Sequence, residues 1–388
     1  MILVLSVDER YVASLASKLV RINSENPPGR EAEIASFVAE RLSDLGFKAV
    51  VDKFDERANA LGFLRLSDGA SILLMTHLDT VPAGDRSLWT APPFEGVIRG
   101  GRLYGRGAAD AKGAIASMLG GLKSLLDSGV ELRGEIVLAA VADGEAESRG
   151  VKRLLSRGLK ADCAVVGEPT RLRVCPAHRG RLVASIKLVG RAAHASNPSE
   201  GVNPLYPAAK LLLSLRKLSE KLSKSVHPLL GPPTISPTMV RGGLKDNVIP
   251  ESVEIVIDRG TLPGESPKKL AAELEELAKK LAEEDRADYR FRIVKWVPPA
   301  ETSAGSRIAS AAVEAVEEVL GVRSGVAGFQ AACDMSFLVN EAGIDSIILG
   351  PGSLEQAHAA DEWVSIEELV NAAKIYAAIV RRILSKGS

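Results

Sequence analysis

The chain has 388 residues, 46% hydrophobic and 25% charged, with Lys+Arg and Asp+Glu equal at 49 each. That length exceeds what one hydrophobic core usually serves, so two domains are expected. The balanced charge removes the electrostatic case for nucleic acid or an anionic membrane surface as a partner, and a small-molecule substrate fits better.

Residues 1–5 are apolar but run into Asp8, Glu9 and Arg10. That is not a signal-peptide pattern, and no run reaches membrane-spanning length, so a cytoplasmic location is expected. Apolar periodicity predicts helices over 6–22 and 28–45, then strands over 49–54, 60–66 and 71–77. A helix over 111–126, a strand over 135–142, a short helix over 151–156 and a strand over 164–167 follow. Runs such as Ile72-Leu73-Leu74-Met75 are apolar on both faces, as in the middle of a helix-flanked sheet.

After Pro176 the pattern changes. Strands over 182–189 and 253–258 alternate apolar with polar residues, and charged helices are predicted over 205–222 and 267–284. Glu276 and Lys280 stand at ion-pair spacing on the second helix. This combination implies an open-faced sheet with helices on one side, a small α+β domain. Beyond Pro298-Pro299 the first pattern resumes with a helix over 306–320, a strand over 345–349 and a helix over 366–384 opened by a Ser365/Glu368 capping box. The expected organisation is an α/β domain from 1–176 and 297–388, interrupted by an α+β domain over 177–296.

Histidine is scarce, at 77, 178, 194, 227 and 358. His77 and Asp79 lie two apart at the end of a buried strand, so they share a face. A carboxylate there can fix the tautomer of a ligating imidazole, although a capped strand end would look the same. Asp110 closes Gly105-Arg106-Gly107-Ala108-Ala109 and opens a helix, where an N-cap is the plain explanation. The stretch also suggests a dinucleotide-binding oxidoreductase, but a carboxylate where a pyrophosphate would sit argues against that. Glu145 and Glu168 follow strands, and His358 sits in the loop Gln356-Ala357-His358-Ala359. Together His77, Asp110, Glu145, Glu168 and His358 offer nitrogen and oxygen ligands without thiolate, suiting Zn²⁺, Co²⁺ or Mn²⁺. Cys163, Cys175 and Cys333 form no metal-ligand spacing. Cys333 beside Asp334, with His358 downstream, also admits a nucleophile reading, but a free Cys is usually a small buried hydrophobe.

These segments, in this order, resemble the M20 metallopeptidase family, in particular the acetylornithine deacetylase / succinyl-diaminopimelate desuccinylase group. The resemblance runs from Ile22-Asn23-Ser24-Glu25-Asn26-Pro27-Pro28-Gly29 to the terminal helix. Its most specific parts are Thr76-His77-Leu78-Asp79-Thr80-Val81-Pro82, residues 105–113, Gly167-Glu168-Pro169-Thr170, Asn247-Val248-Ile249-Pro250, and Gly350-Pro351-Gly352 with His358. It implies a helix-flanked, mostly parallel catalytic sheet, an inserted ferredoxin-like dimerisation domain, a homodimer, and hydrolysis of the amide bond of an N-acyl amino acid. It further implies two divalent ions, most simply Zn²⁺. His77, Asp110 and Glu168 would hold one, Asp110, Glu145 and His358 the other, with Asp110 bridging and Asp79 behind His77. By the same resemblance His194 polarises the scissile carbonyl in the partner subunit's site, and Asn247 contacts substrate.

Two positions depart from the family pattern. Where the family carries the glutamate that acts as general base, this chain has Gly144, with Glu147 as a candidate substitute; a shifted register would make Glu145 the base and Glu147 the ligand. Where the family carries an arginine that grips a substrate carboxylate, it has Gly260, with Arg259 adjacent. Loss of a general base costs a factor of about 10²–10⁴, so a slow enzyme or a non-catalytic metal-binding or regulatory relative is implied, and Gly144→Glu is expected to raise activity about tenfold or more.

Overall fold

The computed structural model describes residues 6–385; the apolar residues 1–5, and the signal-peptide question they raise, lie outside the described residues. The chain divides into two compact units, one from Met1–Pro176, Thr302–Ala327 and Asp334–Ser388, the other from Ala177–Glu301 and Gly328–Cys333. Residues 297–301 and 328–333, assigned from sequence to the flanking domain, thus belong to the second unit.

In the first unit four strands run parallel in the spatial order Glu135–Val141, Ser71–His77, Cys163–Val166 and Asp345–Ile348. Their apolar runs are buried at consecutive positions, as two covered faces require. The flanks are antiparallel. Arg57–Arg65 pairs with Glu135–Val141 and carries Lys48–Phe54 outside it, while Cys175 pairs with Ile348 at the other side. Parallel pairing is therefore confined to the centre.

The helices expected first are Glu9–Arg21, capped by Asp8, which accepts from the Tyr11 N–H at 3.1 Å, and Glu31–Asp44. Helix Gly113–Asp127 packs on the terminal helix Ile366–Leu384 so closely that a Cβ on Gly121 would lie 2.3 Å from the Ala373 carbonyl oxygen. A glycine inside a helix costs roughly 0.5–1 kcal/mol, and here it lets two backbones touch. Ser365 caps the terminal helix as predicted, accepting from the Glu368 N–H at 3.4 Å. The Glu368 carboxylate does not complete the box; it accepts from the Gly352 N–H at 3.3 Å.

The second unit is a four-stranded antiparallel sheet in the order Thr234–Gly242, Ser252–Thr261, Gly180–Val189, Asp288–Val297. With helices Leu205–Leu222 and Pro267–Glu284 it follows the βαββαβ sequence of a split βαβ fold. Leu182, Ala184, Ile186, Leu188, Ile255 and Ile257 pack with Leu211, Leu215, Leu274 and Ala278 of the helices. On the second helix an i,i+4 ion pair joins Lys279 to Glu283 at 4.0 Å, three residues along from the predicted Glu276–Lys280 and with the charges reversed. Among the described residues no helix is long and apolar enough to cross a membrane.

Candidate metal centre

His77 ends its strand, Glu145 and Glu168 follow the next two, and His358 follows Asp345–Ile348, so all four gather at the carboxyl ends of parallel strands. Asp110 arrives from a helical turn, Ala108–Lys112, that precedes Gly113–Asp127. It caps no helix. Instead its Oδ1 lies 3.0 Å from His77 Nε2 and its Oδ2 lies 3.3 Å from His358 Nε2. His358 Nε2 also faces Glu145 Oε1 at 2.9 Å. One ligand atom from each of His77, Asp110 and Glu168 lies within 4.8 Å of the others, and the same holds for Asp110, Glu145 and His358. The structure thus brings all five predicted side chains into two groups sharing Asp110. The first group is buried; in the second, His358 is exposed and Glu145 half-buried.

Three carboxylates and two imidazoles converge here. Burial opposes a charge on His77, but its hydrogen bonds to Asp110 and Asp79 prevail and hold its pKa well above the ordinary imidazole value. His358 is lifted to about 10 by Asp110 and Glu145. Burial, reinforced by Asp110, pushes Glu168 well above the carboxylate range, whereas at Asp110 the two imidazoles overcome burial and lower it. The imidazoles are drawn toward protonation because negative charge is in excess, and divalent cations would relieve that excess directly. The donor set therefore fits two such ions.

Several groups hold these side chains in place. Asp79 is fully buried; its backbone oxygen lies 2.9 Å from His77 Nδ1, which leaves Nε2 to face inward. Its carboxylate accepts from Asn26 Nδ2 and from the Gly144 and Glu145 N–H groups, at 2.8, 2.8 and 3.1 Å. Glu362, not singled out from the sequence, accepts from the backbone N–H groups of Gly107, Ala109 and Asp110 at 3.0, 2.9 and 3.1 Å and pairs with buried Arg106 at 2.6 Å. It fixes the turn that presents Asp110. Asp334 is buried and pushed up to about 7 by burial, and bonds to Ser148 in the loop bearing Glu145. The only sequence signal for Glu362 is an acidic residue shortly after His358, which does not separate it from a solvated turn.

The departures are now specific. A Cβ on Gly144 would lie 2.5 Å from His77 Cβ and 2.9 Å from its Cγ, so position 144 has no room for a side chain with His77 in place. Glu147 is exposed and makes none of the cluster's hydrogen bonds. Arg259 is buried rather than presented to substrate: it pairs with Glu265 at 2.7 Å and donates to the carbonyls of Thr234 and Gly260. In the second unit His194 is exposed with Nδ1 2.7 Å from Ser196 Oγ, and it pairs with Val248, next to Asn247, across a two-residue antiparallel bridge. Cys333 and His358 belong to different units.

Residues 73–382 match the family model described as Peptidase family M20/M25/M40, and the chain belongs to that family. It is 30% identical over 366 residues to an acetylornithine deacetylase of Edwardsiella ictaluri (strain 93-146), covering 93% of each chain. Among solved structures it resembles a tripeptidase from Staphylococcus aureus (TM-score 0.82, 22% identity, 97% of this chain and 99% of that one). It also resembles an M20 family metallo-carboxypeptidase from Sulfolobus solfataricus (TM-score 0.78, 22% identity, again 97% and 99%). The resemblance read from the motifs is borne out at the level of family and fold.

Proposed function

We propose that the protein is a cytoplasmic, homodimeric, metal-dependent amidohydrolase that removes an acyl group from an N-acyl amino acid. The observation that carries this is the pair of ligand groups sharing Asp110, supported by family membership and the acetylornithine deacetylase relative. His77, Asp110 and Glu168 would hold one divalent ion, and Asp110, Glu145 and His358 the other, with Zn²⁺ the simplest choice and Co²⁺ or Mn²⁺ served by the same donors. When bound, such ions supply Lewis-acid polarisation of a carbonyl and activation of water.

The remaining tasks fall to the chain itself. Asp79 holds the His77 tautomer, and Glu362 holds the backbone of Asp110. In the second unit the His194 ring, exposed and oriented by Ser196, would donate to the substrate carbonyl in the partner subunit's site, with Asn247 contacting substrate. Proton acceptance cannot reside at position 144, where His77 occupies the space a side chain would need.

That last feature also favours a second reading, a metal-binding relative without turnover. A hydrolysis screen over N-acetylornithine, N-succinyl-diaminopimelate, other N-acyl amino acids and dipeptides, with Zn²⁺, Co²⁺ or Mn²⁺ added, separates the two. Metal-dependent release of the free amine, abolished by chelator, supports the hydrolase. Bound metal with no turnover on any substrate supports the non-catalytic relative.

A further inference from the structure

Just past strand Glu135–Val141 the chain turns at Asp143, whose φ of +69° lies in the left-handed region and persists where neighbouring bonds hold it. Its backbone oxygen accepts from the Ala146 and Ser148 N–H groups at 3.3 and 2.7 Å. Its buried carboxylate accepts from Asn26 Nδ2 at 2.9 Å, Arg57 Nη2 at 2.9 Å and Arg149 Nε at 3.1 Å. The turn so held brings the next two N–H groups, of Gly144 and Glu145, onto the Asp79 carboxylate. One turn therefore carries Glu145 and closes on the residue behind His77.

Asn26 stands between the two. Its Nδ2 donates to Asp79 Oδ2 at 2.8 Å and to Asp143 Oδ1 at 2.9 Å, and its Oδ1 accepts from Arg57 Nη2 at 3.2 Å. A guanidinium on one side and two carboxylates on the other permit a single orientation of the amide. Arg57 in turn pairs with Glu31 and Asp143, and Asn26, Arg57, Glu31, Asp79 and Asp143 are all buried. In such an enclosed network a neutral group with two N–H donors lets two carboxylates face one point. A third carboxylate in its place would repel both.

We propose that Asn26 is a positioning residue that couples the two ligand groups meeting at Asp110. One of its N–H bonds fixes Asp79 and, through it, His77; the other fixes the turn that presents Glu145. Loss of the amide is then felt by both ions, although the amide itself bonds to none of the five ligand side chains. This rests on the two-ion reading above and deepens it: the two groups share the Asp110 carboxylate and also one support behind them.

The test is Zn²⁺ affinity of the full-length protein, read by competition with a chromophoric chelator and independent of any substrate. It is made in Glu145→Gln and in Glu168→Gln, each of which leaves one ligand group intact. Asn26→Asp keeps the shape of the side chain, removes both donors and adds a charge. In either background it is expected to weaken the remaining ion by about 10–100-fold, as loss of a group that orients metal ligands does. Asn26→Ala is expected to act the same way and decides the matter if Asn26→Asp does not fold. Ser24→Ala cuts the 2.8 Å bond from Ser24 Oγ to the Leu78 carbonyl on the same loop, and is expected to leave both affinities near those of the backgrounds. Affinity lost in one background only, in neither, or equally with Ser24→Ala overturns the coupling. Wild type that holds fewer than two ions overturns the two-ion reading as well, whereas two ions in wild type with unaffected Asn26 variants overturn this proposal alone.

Discussion

Filling position 144 should damage the metal centre rather than restore a base. A methyl on Gly144 would meet His77 at its Cβ, 2.5 Å away, and at its Cγ, 2.9 Å away. Those atoms sit next to the backbone of a buried strand, so they cannot swing aside as the tip of a long side chain would. His77 is held further by the Asp79 carbonyl at 2.9 Å and Asp110 at 3.0 Å. Overpacking of this kind costs about 1–3 kcal/mol, and in a domain of this size each kcal/mol moves Tm by roughly 2–4 °C. Gly144→Ala is therefore expected to lower Tm by roughly 2–12 °C in scanning calorimetry. Displacing the His77 ring from Asp110 is expected to weaken metal binding by about tenfold or more, read by competition with a chromophoric chelator. Gly144→Glu should then lose activity, contrary to the expectation from the motif alone. A Gly144→Ala protein that melts with wild type and holds metal equally well, or a Gly144→Glu protein that gains turnover, would refute this packing argument.

Glu362→Gln leaves the buried Arg106 guanidinium without its counter-ion; breaking such a pair costs about 3–5 kcal/mol, so the variant's urea midpoint should fall well below that of wild type. An unchanged midpoint would mean that Glu362 does not hold the turn bearing Asp110. His178 gives a pH signature: it is fully buried, its Nδ1 faces the Arg179 carbonyl at 2.8 Å, and burial pushes its pKa down to about 4 from 6.5. Between those values the unfolded chain holds a proton that the folded one does not, so the stabilisation is complete above pH 6.5 and is lost as pH falls to 4. The loss is roughly 3 kcal/mol. His178→Phe should flatten the stability-versus-pH curve across that window, and an unaltered slope would exclude His178 as its source.

Much of the first unit was legible because its strands are short apolar runs ended by polar residues, and burial on both faces leaves no alternation to misread. The five ligand candidates were legible for a related reason: imidazoles and carboxylates at strand ends, in the order of a known family. Strand Thr234–Gly242 was not, because it is an edge strand, exposed at all but one position and interrupted by Pro237 with a register shift before Met239. Strand Asp288–Val297 was missed for a similar reason, its register shifting between Ile293 and Lys295. Arg259 was misassigned because adjacency in sequence says nothing of the face a strand residue takes. One position along, the side chain crosses the sheet and finds Glu265. The support from Glu362 was hidden because it is made through backbone N–H groups of a distant turn, which leave no residue-type signature.

The pair of ligand groups meeting at Asp110 is tested most directly by counting metal, independent of any substrate. Metal-stripped protein equilibrated with Zn²⁺ and desalted should retain two ions per chain in wild type, one in Glu145→Gln, one in Glu168→Gln and none in Asp110→Asn. An Asp110→Asn protein that still carries two ions, or Glu145→Gln and Glu168→Gln proteins that match wild type, would contradict the shared-ligand centre.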